Sequence, residues 1–118
     1  MYSYSVPIST ENLFAEVENE NLYQKLIEQI NKDFNLANEP IDIPEHTLPD
    51  YLKLLLHGKT YRLIQYKFAE YLNLLYIIDV SESEIKKLDG SDSFELSGQV
   101  AFLILKREWQ KVWFRNKL

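Results

Sequence analysis

Asp42, Glu45, His46 and Asp50 fall within nine residues, in the string D-I-P-E-H-T-L-P-D. Carboxylates and an imidazole held by prolines are donor types that bind a metal or take a proton as general base. Their spacing matches no established ligand pattern, and acidic connectors are commonly solvated loops. Glu45, His46 and Asp50 are therefore weak metal candidates, and a small enzyme or metal site around 42–50 is a second alternative function.

Other candidate strings lack a needed residue. H-G-K-T at 57–60 ends like a phosphate-binding loop, but that loop needs a glycine five positions before Gly58, where Lys53 stands. Asp89, Ser91, Asp92, Ser93 and Glu95 make an acidic hydroxyl loop. A calcium loop starting at Asp89 would need glycine at its sixth position, which is Phe94. No G-x-S-x-G elbow is present, and His46 and His57 stand apart with no triad spacing. The chain is thus a poor enzyme candidate, and no cofactor is expected.

The C-terminal K-R-E-W-Q-K-V-W-F-R-N-K-L interleaves bases with aromatics. That composition suits a nucleic-acid backbone whose bases stack on rings. On a helix, Arg107, Lys111 and Arg115 form a stripe opposite Trp109 and Trp113, so one ligand meets both only by wrapping. The simpler reading packs the tryptophans inward and solvates the bases. The candidate interaction residues are Arg107, Lys111, Arg115, Trp109, Trp113 and Tyr66, tyrosine joining an apolar ring to a hydroxyl that needs a partner.

The elements that must position these residues follow from composition and period. The chain has 118 residues, no cysteine, three glycines and a net charge of −5. That length fits a single domain over 1–118, and the missing cysteines exclude disulfides and thiolate metal sites. Residues 1–50 carry about −8, residues 51–105 nearly balance, and residues 106–118 carry +4. Such a gradient can steer a basic partner or align two copies, and the acidic total argues against binding duplex nucleic acid. The first residues show no basic and apolar leader, and no apolar run approaches the roughly 20 residues of a membrane span. A cytoplasmic location without membrane association is expected.

Abundant leucine and scarce valine and threonine favour helices. Thr10 is read as a cap for a first helical turn, and Asn21 as the cap of a helix burying Tyr23, Leu26, Ile27, Ile30 and Phe34. That reading leaves Lys25, Glu28, Gln29 and Lys32 outside. Residues 38–49, with Pro40, Pro44 and Pro49, form a connector, and Pro49 opens a short helix stopped at Gly58. Leu52, Leu55 and Leu56 are read as core. Residues 59–78 are predicted to form one long central helix, apolar on two faces and thus buried or at an interface. Ser81 caps a short helix through Asp89, and 96–116 form the last helix. The expected fold is mainly α, a compact bundle of four or five helices. The alternative is an α+β domain with a small sheet from 60–80 and 92–105.

The leading functional expectation is a non-catalytic protein-binding domain: an inhibitor, an immunity-type antagonist of a basic toxin, or a small subunit of an assembly. Self-association by pairing of acidic and basic ends is a further expectation. Single-stranded nucleic-acid binding through 106–117 is the first alternative.

Overall fold

The computed structural model describes residues 3–117. Six helices follow one another: α1 (Thr10–Asn19), α2 (Tyr23–Leu36), α3 (Pro49–Tyr66), α4 (Phe68–Ile78), α5 (Glu82–Lys86) and α6 (Ser93–Lys117). No strand occurs among the described residues, so 60–80 and 92–105 are helical rather than paired. The bundle measures 42 × 29 × 24 Å. No described helix is long and apolar enough to cross a membrane.

The centre of the bundle is α6, which packs against α1, α2, α3 and α4. This position explains why Val100 to Leu105 is apolar almost all round: a surrounded helix has little face left for water. Val100, Ile104, Leu105 and Trp109 are fully buried there, against Leu26, Ile30 and Phe34 of α2 and Leu52, Leu56 and Leu63 of α3. The span 59–78 is therefore neither central nor a single helix. It breaks at Lys67, whose φ of −143° and ψ of 60° separate α3 from α4.

Gly58 does not stop α3. A lone glycine costs a helix only about 1 kcal/mol, and the leucines on either side bury enough surface to outweigh that. Pro49 does occupy the first turn, where its missing N–H costs nothing. Asn21 is not a helix start. With φ of 57° it ends α1, while the side-chain cap of that helix is Ser9 rather than Thr10, accepting from the Asn12 N–H at 3.0 Å. Asn38 and Asp79 end α2 and α4 in the same left-handed conformation, at φ of 59° and 69°. In each case the next N–H reaches back to close the last turn: Leu22 to Val17, Glu39 to Phe34, Val80 to Leu75, all at 3.0–3.1 Å. Asparagine and aspartate tolerate this backbone well enough to replace the usual glycine. Ser81 caps α5 as its sequence implies, accepting from the Glu84 N–H.

The proline-containing connector between α2 and α3 lacks regular structure but is fastened at three points. The Asn31 side chain donates to Ile43 O at 2.9 Å and accepts from Ile43 N at 2.8 Å, which seats Ile43 in the core. The Tyr23 hydroxyl donates to the Thr47 carbonyl. Glu39, itself buried, accepts from Lys59 at 3.2 Å and pairs with Lys67 at the α3–α4 break.

Candidate functional site

The C-terminal bases do not form a free stripe. Lys111 Nζ lies 2.8 Å from Asp33 Oδ2 on α2, and Arg115 Nη1 donates to Gln29 Oε1 at 2.7 Å. Arg107 pairs with Asp79 at 3.1 Å, and Lys117 pairs with Glu20. Gln29, expected outside, is buried because α6 lies over it. Trp109 and Trp113 are packed inward, Trp113 against Tyr4 at a ring separation of 5.4 Å. Tyr66 is exposed at the end of α3. The structure therefore brings Lys111 and Arg115 to α2, leaves Arg107 on the α4–α5 turn, and sets Tyr66 apart from all of them.

Under this ladder lies a buried carboxyl pair. Glu108 is fully buried, with Lys111 Nζ 3.5 Å from its Oε1 and the Asp33 carboxyl as its other polar neighbour. Burial, reinforced by the neighbouring Asp33 carboxylate, holds the Glu108 proton on far above the ordinary carboxyl range. Burial works against Asp33 too, but the protonated Glu108, Lys111 and Gln29 outweigh it and keep Asp33 ionised below its ordinary value. The site thus holds one anion, one cation and one neutral acid in the core.

Glu45 and His46 are exposed on the connector and Asp50 is exposed in the first turn of α3. Among the described residues, no three of His, Asp and Glu stand close enough to hold a metal ion. His57 packs between helices: its Nε2 lies 3.0 Å from Phe94 O and 3.1 Å from Ser97 Oγ. Its ring also faces Gly98, where a Cβ would approach Cε1 to 3.2 Å. Gly98 therefore permits the close α3–α6 crossing.

Two open surfaces adjoin these elements. A cleft of about 490 Å³ runs between Tyr4, Val80 and α6, and its charges cancel in pairs, Lys106 with Glu84 at 2.7 Å and Arg107 with Asp79. The second is the outward face of α3. Leu48, Tyr51 and Leu54 are 73, 59 and 65% exposed, and Gly58 follows one turn on with nothing within 4 Å of an added Cβ. Asp50 borders this strip and joins Glu11 and Glu18 of α1 around a cleft of about 220 Å³, where Lys53 is the single base. Leucine triplets usually mark core, and Leu52 and Leu56 do so here. The missed signal was Leu48, Tyr51 and Leu54, three apart and out of phase with the buried set.

Comparison of the chain with protein families, with curated proteins and with solved structures finds no match.

Proposed function

We propose that this chain is a non-catalytic protein-binding domain that docks a basic protein on the outward face of α3 and the acidic cleft beside it. The observation that carries this reading is the exposed Leu48–Tyr51–Leu54 strip on the helix whose Pro49 and Asp50 also line the cleft that holds Glu11 and Glu18. The strip presents on the order of 400 Å² of apolar surface, a size at which patches on monomers commonly serve binding. Three carboxylates against one lysine favour encounter with a cationic surface, while Tyr51 and the leucines supply affinity after contact. Gly58 supports the same reading, because a solvent-facing glycine weakens a helix unless something must approach its backbone closely. An inhibitor or antagonist of a basic protein, or a small subunit that holds one, fits this surface. Nucleic-acid binding through 106–117 has less support, since Trp109 and Trp113 are inside and Arg107 and Lys111 are already paired.

The test compares proteins captured from the native cell by the wild-type chain and by a Tyr51→Ala/Leu54→Lys variant. A basic protein retained by the first and lost by the second is expected. Its association rate with the purified chain should fall at least tenfold between low and high salt. Equal capture by both forms would remove the α3 surface from consideration, and a salt-independent rate would remove the charge steering.

A further inference from the structure

The helix α4 is apolar on both sides. Its inner side, Tyr71, Leu74, Leu75 and Ile78, is buried in the bundle. Its outer side carries Phe68, Leu72 and Tyr76, which are 55, 51 and 82% exposed. Ala69 and Asn73 lie beside them, also exposed. Residues 68–78 include a single charge, Glu70, and the helical step of about 100° per residue places it on the flank away from Leu72. An outward face without charge can be covered by another apolar face at no cost in ion desolvation.

The pattern is symmetric about Leu72, with an aromatic ring four residues before it and another four after. A twofold antiparallel crossing centred on Leu72 sets Phe68 of each copy against Tyr76 of the other and brings the two Leu72 side chains together. Such a contact is self-complementary, as a twofold interface must be. With Ala69 and Asn73 beside the three large side chains, the face exposes roughly 500 Å² per copy, so that a pair covers roughly 1,000 Å², the lower bound for a specific interface. A strongly charged partner would find no counter-charge on this face. The ends of the chain, for their part, are partly engaged internally, through Lys111 to Asp33 and Lys117 to Glu20.

We infer that α4 is the face on which two copies of this chain associate reversibly, antiparallel and centred on Leu72. This surface is separate from the one on α3, and its failure leaves that reading standing.

The absence of cysteine lets introduced thiols report the geometry. Under mild oxidation Leu72→Cys should give a disulfide-linked dimer and Glu70→Cys should not, because a disulfide needs Cα atoms within about 7 Å. An equimolar mixture of Phe68→Cys and Tyr76→Cys should form the mixed dimer in preference to either matched one. Sedimentation equilibrium of the wild-type chain should show a monomer–dimer equilibrium with Kd on the order of 10 μM. Tyr76→Lys, at a position so exposed that the fold does not depend on it, should raise that Kd at least tenfold. A chain that stays monomeric at about 500 μM, far above that Kd, overturns the inference. So does a dimer indifferent to Tyr76→Lys, equal cross-linking through Glu70→Cys, or a preference for matched Phe68→Cys pairs.

Discussion

Lys111 on α6 reaches Asp33 on α2 across 78 residues of sequence, with Nζ 2.8 Å from Oδ2. The contact ties the basic end of the chain to its acidic half, and it neutralises a carboxylate that the core would otherwise not hold. Asp33 also accepts from Gln29 at 3.1 Å, and Gln29 in turn accepts from Arg115, so one ladder spans α2 and α6.

Removing one member of that ladder should cost more than removing two. Lys111→Met leaves Asp33 ionised in the core without its cation, and should destabilise the fold by about 3 kcal/mol in urea denaturation. The double variant Asp33→Asn/Lys111→Met should recover a large part of that loss. Equal instability of the single and double forms would contradict the pairing.

Glu108 gives the fold a distinctive dependence on pH. Its folded-state proton affinity is raised above that of the unfolded chain, chiefly by burial. The contribution of such a group is complete below the unfolded value near pH 4.5 and is lost as pH rises toward the folded one. Asp33, lowered in the fold, acts oppositely and withdraws its contribution as pH falls below its ordinary range. Glu108→Gln keeps the shape and removes the proton, so the variant should lose the decline in stability between about pH 5 and 9 and exceed the wild type at the alkaline end. A wild-type stability flat across that window would show that Glu108 is ionised in the fold.

Two glycines within helices should respond in opposite directions. At Gly58 an added methyl meets nothing within 4 Å, so Gly58→Ala should stabilise α3 by about 0.5–1 kcal/mol. At Gly98 the same methyl comes within 3.2 Å of the His57 ring, so Gly98→Ala should lower the Tm by forcing the helices apart. Thermal unfolding of both variants decides the matter, and the binding assay shows whether Gly58→Ala weakens the partner while strengthening the fold.

The connector should loosen on loss of a single side chain. Asn31→Ala leaves the Ile43 N–H and carbonyl without their partners, at a cost of about 1–3 kcal/mol. Amide exchange at Ile43 should accelerate well beyond that of the α6 core. Unaltered protection of Ile43 would mean that packing alone holds the connector.

Much of the bundle was legible locally. The capping of α5 at Ser81, the first-turn Pro49 and the apolar periodicity of α2 and α6 all follow from steric and hydrogen-bonding rules acting within a few residues. Two buried acids also had a local signature: Asp33 follows Leu26 and Ile30, and Glu108 follows Ala101 and Leu105, each in step with the apolar side of its helix. They resist that reading because a carboxyl in an apolar register implies a partner from another helix, and no short-range rule supplies one.

The sequence by itself determined that the chain is helical and which residues are greasy enough to be hidden. Only the tertiary structure decided which helix is surrounded, that α3 passes through Gly58 and breaks instead at Lys67, and that Lys111 and Arg115 of α6 reach α2 rather than solvent. The physical reason is that periodicity fixes how side chains distribute around one axis, whereas the choice of the face that stays wet depends on how many neighbouring helices close around it. Phe68 and Leu72 are as apolar as Leu74 and Leu75, and they differ in that the bundle leaves half of each uncovered.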